Sequence, residues 1–305
     1  MTERINEMKV LCFGSLNIDY TYKVDHFFSK GETLSSSALE TFSGGKGLNQ
    51  SVALSKAGAR TFHAGAIGEE GKFLVEELSA AGVDTEFVEV KNEVRTGHAI
   101  IQNSLDGDNC ILLFGGANRS ITKEQAEKVL SCFGEGDVLV LQNEISELEY
   151  ILSTGKEKGM TVVLNPSPID ETLLGMPIGK ADILILNEVE AGRILGKEVS
   201  DGEKAVAELS EKYPETDIVL TVGKKGSFFK NTEKSFFQPA FSVKAVDTTA
   251  AGDTYTGYFI AGIMEGMPPE KAMEFASKAS AIAVTRPGAS PSIPERAEVE
   301  AFGNG

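Results

Sequence analysis

Between residues 122 and 222 the chain alternates regularly between two hydrophobic periods. Apolar residues at three- and four-residue steps mark helices over Thr122 to Leu130, Ser146 to Lys158, Glu188 to Leu195 and Glu203 to Lys212. The short apolar runs Asp137 to Leu141, Thr161 to Leu164, Asp182 to Leu186 and Asp217 to Val222 read as buried strands. Such alternation requires crossover connections, hence a mainly parallel sheet with helices on both faces. The expected fold is a doubly wound α/β sheet in one domain spanning residues 1–305.

The first third adds a second theme. Lys9 to Gly14 reads as a buried strand, Thr61 to Gly68 as a strand, and Glu70 to Ala81 as a helix. Asp84 to Val90, Thr96 to Asn103 and Asn109 to Phe114 read as three strands with no helix between them. Asp106-Gly107-Asp108 is a hairpin signal. Tyr20 to Phe42 holds strand-like fragments without helical period. Segments around 20–42 and 96–115 are therefore expected to form a small β excursion. Its edges could cover a site as a lid or pair with another subunit; the rival is an extension of the main sheet. Lys225 to Phe237 reads as a hairpin around Asn231-Thr232, and Pro269 to Val284 as a last core helix.

Composition narrows the partners. A formal charge of −16 over 305 residues disfavours a nucleic-acid backbone or an anionic membrane surface. Cys12, Cys110 and Cys132 show no metal or disulfide spacing; Cys12 and Cys110 sit in apolar runs and are expected in the core. Met1 to Lys9 lacks the apolar region of a signal peptide, and no apolar run reaches membrane-spanning length. The expected location is cytoplasmic.

Three stretches carry candidate chemistry. In Val246 to Gly257, the small residues Ala250 to Gly252 leave backbone N–H groups uncovered. Tyr255, Tyr258, Phe259 and Ile263 then mark one buried helical face. A helix start suits an anion such as a phosphate. Asp253 in that first turn is either a dipole partner or a general base beside a phosphate site. Ser43 to Gln50 is glycine-rich and leads into a helix, yet matches neither the Walker A nor the G-x-G-x-x-G pattern. Its Lys46 could face water, as most lysines do. Ser15 to Asp19 follows a buried strand as a turn. Its Asn17 and Asp19 are open to turn chemistry or ligand binding.

These stretches recur in this order, with Asn187, Glu190 and Thr221-Val222-Gly223-Lys224-Lys225-Gly226, in one family. From Gly14 to about Ile293 the chain resembles the ribokinase-like, or phosphofructokinase B-type, sugar kinases. The resemblance implies a β-sheet lid on the doubly wound fold. It implies ATP-dependent phosphorylation of a sugar's primary hydroxyl, with D-ribose as the default acceptor. Fructose, a keto-sugar acid, deoxyribose or a nucleoside are alternatives, and a non-catalytic nucleotide- or sugar-binding module is the reading from another class. By the same resemblance Asp253 is the catalytic base, and the N–H groups of Ala250, Ala251, Gly252 and Asp253 form an anion hole. Asn17, Asp19, Gly45, Lys46, Asn49 and Glu144 hold the sugar. Asn187 and Glu190 act near the phosphates and Mg²⁺, Glu190 through water. Thr221, Gly223, Gly226, Gly252 and Ser277 bind the nucleotide. Asp247 and Thr249, carbonyls of Ala283, Arg286 and Gly288, and the Ser292 side chain surround a monovalent cation, usually K⁺. A homodimer through the lid is also implied. Four positions depart from the pattern: Ala250 replaces a glycine, Asn143 and His98 stand where apolar residues are usual, and Ser277 replaces Asn or His.

Overall fold

The computed structural model describes residues 8–106 and 108–303. The strands are β1 (Val10–Phe13), β2 (Asn17–Lys23), β3 (Ala38–Gly44), β4 (Thr61–Ile67), β5 (Asp84–Val90), β6 (Gly97–Asn103) and β7 (Asn109–Phe114) in the first third. Then come β8 (Val138–Gln142), β9 (Thr161–Asn165), β10 (Ile183–Asn187), β11 (Asp217–Thr221), β12 (Gly226–Lys230) and β13 (Ser235–Pro239). One sheet runs β13-β12-β11-β10-β9-β8-β1-β4-β5, and a separate one runs β3-β2-β6-β7.

In the large sheet every pairing from β5 to β11 is parallel, and the hairpin β12–β13 closes one edge antiparallel. The alternating pattern predicted this. It follows from buried strands too short to carry a solvated face: β1, β4 and β8 are buried at every position. Successive β1 side chains point to opposite faces, so Val10 and Cys12 join one core while Leu11 and Phe13 join the other. The first core is roofed by helices Lys46–Lys56, Ala251–Met264 and Pro269–Ala283. The second lies under helices Lys123–Leu130, Leu148–Glu157, Glu188–Leu195 and Gly202–Lys212.

The Ala251–Met264 helix departs from the one-sided expectation. Asp253 through Gly262 are all buried, because the helix is packed on both flanks as well as against the sheet. Against Lys46–Lys56 the approach is so close that a Cβ on Gly257 would lie 2.4 Å from the Ala53 Cβ. That contact brings the starts of the two helices together.

The small sheet matches the expected excursion but begins earlier than residue 20. Asn17 and Asp19 are the first and third residues of β2, not members of a turn: Asn17 pairs with Gly44 and Gly97, Asp19 with Phe42 and Ala99. The strand is favoured because both its faces are covered: Asn17 and Thr21 are buried on one face and Ile18 on the other. Cys12 is buried as expected; Cys110 is not, because β7 is an exposed edge strand. The hairpin signal at Gly107 lies outside the described residues, though β6 and β7 pair antiparallel on either side of it. Among the described residues no helix is long and apolar enough to cross a membrane.

Candidate active site

Strand order reverses between β1 and β8: the chain leaves β1 for β4 on one side and runs β8 to β11 on the other. Open α/β sheets bind ligands at such a switch point, beyond the carboxyl ends of the strands. Here Ser15, just after β1, donates a hydrogen bond to Glu144, just after β8. Glu144 Oε2 also accepts from the Lys46 backbone N–H at 3.1 Å, and the Ser15 hydroxyl accepts from Gly47 N–H at 3.3 Å. The glycine-rich helix start is thereby stitched to the crevice.

Asp253 occupies the first turn of the Ala251–Met264 helix and is buried. Both its oxygens accept side-chain amides: Asn49 Nδ2 donates to Oδ2 at 3.0 Å, and Gln50 Nε2 to Oδ1 at 2.9 Å. Bonds of this charge-assisted kind are worth ~1.5–3 kcal/mol each and offset the desolvation of a buried carboxylate. The Asn49 Oδ1 is left buried without a partner, an acceptor open to a ligand hydroxyl.

Lys46 is half-buried rather than fully exposed as most lysines are. It lines a cavity of about 190 Å³ together with Asn165, Asn187, Glu190, Gly252 and Asp253. Burial pulls its ammonium downward in pKa. The carboxylates of Asp253, Glu144 and Glu190 outweigh burial and hold it above the usual range. On the β2 side, burial pushes the Asp19 carboxyl up to about 7, with repulsion from Glu144 adding to the effect. Gly44 makes room for it: a Cβ there would meet Asp19 Oδ2 at 2.2 Å. Asn17 is buried, and its Oδ1 accepts from Asn118 Nδ2 at 2.8 Å.

The small cavity opens into one of about 720 Å³, with Asn187, Thr221 and Gly252 lining both. The larger wall includes Gly223, Gly226, Tyr255 and Ser277. A Cβ on Gly252 would meet nothing within 4 Å, so the helix start faces open space. Of the four N–H groups singled out there, that of Ala251 is engaged by the Thr248 carbonyl at 3.2 Å. Asn187 and Glu190 form a reciprocal capping box: the Asn187 side-chain Oδ1 accepts the Val189 and Glu190 N–H groups. Glu190 in turn accepts from Asn187 N and Nδ2 at 2.9 and 3.0 Å.

The Asp247 loop packs against the segment after Pro269–Ala283. Asp247 Oδ1 accepts from Thr249 N–H and hydroxyl, and Oδ2 from Gly288 N–H at 3.0 Å. Partial burial works the other way, but these bonds hold the Asp247 carboxyl below the usual range. Val246 N–H bonds the Val284 carbonyl at 2.7 Å, placing Asp247, Ala283 and Gly288 in one neighbourhood. The Arg286 side chain points away to Glu298, leaving only its backbone to this loop. Ser292 donates to the Ala289 carbonyl at 2.7 Å and is buried.

His98 is the second residue of β6. It pairs with Ile18 and Phe114, on the opposite face of the lid from Asp19, and its ring packs on Tyr20 and Phe114. Asn143 is a loop anchor, donating from Nδ2 to the Pro168 carbonyl at 2.7 Å. Five polar residues of the site escape sequence reasoning: Gln50, Asn118, Gln142, Asn165 and Ser280, the last donating to the Ala251 carbonyl at 3.0 Å. The signal for two of them was available. Gln142 and Asn165 are polar residues closing otherwise apolar strands.

The comparisons with known proteins agree with this geometry. Residues 7–296 match the model of the pfkB family carbohydrate kinases. The chain is 36% identical over 299 residues to a ribokinase from Haemophilus influenzae, covering 95% of this chain and 96% of the relative. The structure superimposes on a crystal structure of ribokinase from Cryptococcus neoformans in complex with ADP. The TM-score is 0.85 at 33% identity, over 96% of this chain and 99% of that one. Arabidopsis thaliana ribokinase complexed with ribose and ATP superimposes with a TM-score of 0.84 at 30% identity, over 96% and 97%.

Proposed function

We infer the chemistry of this site from one premise: the chain belongs to the pfkB family of carbohydrate kinases. It is an ATP-dependent sugar kinase that phosphorylates ribose. The observation that carries the mechanism is the placement of Asp253. It is a buried carboxylate fixed on both oxygens, at a helix start facing open space, beside a half-buried lysine.

In our reading Asp253 accepts the proton of the sugar's primary hydroxyl as that oxygen attacks the γ-phosphorus. The new O–P bond forms while the bond to the β-phosphate oxygen breaks, so ADP leaves and the proton stays on Asp253. The ammonium of Lys46 and the uncovered N–H groups at the helix start, those of Ala250, Gly252 and Asp253, oppose the charge that builds on the transferring group. Asn17, Asp19, Gly45, Asn49 and Glu144 hold the sugar. The unpartnered Asn49 Oδ1 supports this, since a sugar hydroxyl would satisfy it. Thr221, Gly223, Gly226 and Ser277 line the larger cavity and take the nucleotide.

ATP-using kinases work on a divalent-metal complex of the nucleotide. We assign Mg²⁺, with Glu190 reaching it through water, since the capping box leaves lone pairs on both Glu190 oxygens. The Asp247 carboxylate, Thr249, the Ala283, Arg286 and Gly288 carbonyls and Ser292 form an oxygen-only set suited to K⁺. Such an ion would brace the loop before Ala250. The exposed apolar strand β7 supports a homodimer through the lid, and we place the enzyme in the cytoplasm.

The test is ADP release with ribose, deoxyribose, fructose, a keto-sugar acid and adenosine, each in K⁺ and in Na⁺. Ribose should dominate, with stimulation by K⁺. Dominance of another sugar would overturn the ribose assignment and keep the mechanism. Absence of sugar-dependent turnover with ATP still bound would favour a binding module.

A further inference from the structure

The Asp253 base, taken as read above, is held by a polar network that none of the assigned roles uses. Gln50 is fully buried, and all its amide groups are spent. One Nε2 hydrogen goes to Asp253 Oδ1 at 2.9 Å and the other to Asn165 Oδ1 at 3.4 Å. Its Oε1 accepts from Gln142 Nε2 at 2.7 Å. Gln142 is itself fully buried and reaches Cys12 Sγ at 3.6 Å from the same nitrogen. Asn165 is held by donation from Nδ2 to the Ile185 carbonyl at 2.8 Å.

The direction of every amide follows from the ends. A main-chain carbonyl can only accept, so Asn165 presents nitrogen to Ile185 and oxygen to Gln50. An ionised carboxylate also only accepts, so Gln50 must present nitrogen to Asp253. Were Gln50 turned over, its oxygen would face the Asp253 oxygen and its nitrogen would face the nitrogen of Gln142. Gln142 and Asn165 are cross-strand neighbours closing β8 and β9, so the lock is built into the sheet register. Helix Lys46–Lys56 supplies Gln50, and helix Ala251–Met264 supplies Asp253.

We propose that Gln142 and Asn165 are positioning residues that lock the Gln50 amide, and that Gln50 in turn fixes the plane of the Asp253 carboxylate for phosphoryl transfer. Gln142 and Asn165 make no hydrogen bond to Asp253, so they act through Gln50. Loss of the lock frees Gln50 to rotate. Asp253 then loses one of its two donors, and its lone pair wanders from the attack line.

The experiment is a steady-state kinetic series on the full-length enzyme with ribose and ATP. The variants are Gln142→Met, Asn165→Ala and Gln50→Leu. Gln142→Met should lower kcat about tenfold and leave both KM values within about twofold. Gln50→Leu should lower kcat further with the same small change in KM. A folded Gln142→Met enzyme with wild-type kcat would overturn the proposal. Should Gln142→Met fail to fold, Asn165→Ala decides. That residue is only partly buried, and its removal should lower kcat at nearly constant KM, whereas a change in KM alone would count against the lock. Failure of the base assignment is separately visible, because Asp253→Ala would then retain turnover whatever the network variants do.

Discussion

Strand β7 reads Asn-Cys-Ile-Leu-Leu-Phe and β8 reads Val-Leu-Val-Leu-Gln, yet every residue of the first is exposed and every residue of the second is buried. Nothing in their apolar content separates them. β8 lies inside the nine-stranded sheet with neighbours on both edges and helices on both faces. β7 is the outer strand of a four-stranded sheet, and Ile111, Leu112, Leu113 and Phe114 are each at least half exposed. An apolar edge of this length invites pairing, which is why the lid is the surface we assign to a second copy. The buried half holds the carboxylate of Asp253 on two amide donors, whereas the exposed half offers an unpaired apolar edge.

The sharpest test of the buried half is Asp253→Ala. If Asp253 is the base, kcat falls by about 10²–10⁴-fold, while ATP binding measured by calorimetry persists. Near-normal turnover would remove Asp253 from its role. The contrast between the strands is tested next, by paired truncations followed in urea. Leu141→Ala should cost ~2–5 kcal/mol because β8 is closed on all sides, and Leu112→Ala well under ~1 kcal/mol in the unassociated chain. Equal losses would mean that β7 is covered within one chain. Leu112→Glu should leave the fold intact and halve the mass seen by light scattering, by placing like charges across the shared edge. An unchanged mass would locate the contact elsewhere or exclude it.

The Asp19 carboxyl provides a smaller, pH-resolved effect. Its folded-state pKa is raised from the ordinary 3.8 to about 7. Folding therefore favours its neutral form: the associated stability is present below about pH 4 and is lost as pH rises through 7. The Tm of the ligand-free protein should fall between about pH 4 and 7, and Asp19→Asn should flatten that decline. Over the same interval KM for ribose should fall, since the ionised carboxylate accepts sugar hydroxyls. The smallest effect is expected at His98, whose ring meets Tyr20 and Phe114 on the far face of the lid. His98→Ala should leave kcat within about twofold and change sugar preference little, consistent with a packing role.

Much of this was legible from the chain itself. Strand–helix alternation from residue 122 dictated the parallel sheet, because short apolar strands must be covered on both faces. Small residues followed by Asp253 and an apolar run marked the start of the Ala251–Met264 helix, because a helix start is a matter of local backbone geometry. Asn187 and Glu190 entered as a pair only through the family resemblance; the capping box they form is a finding of the structure.

What only the tertiary structure decided were the relations between distant segments. Gln50 and Asp253 are separated by 203 residues in sequence, and Gln142 by 92 from Gln50; their bonds exist because two helices and two strand ends converge at the switch point. Asn17 and Asp19 read locally as a turn, and became strand residues because pairing with β3 and β6 buries Ile18 and Thr21. Cys12 and Cys110 sit in similar apolar runs, and one is core while the other is surface. Burial is set by what the rest of the chain brings against a strand, and no short window of sequence contains that information.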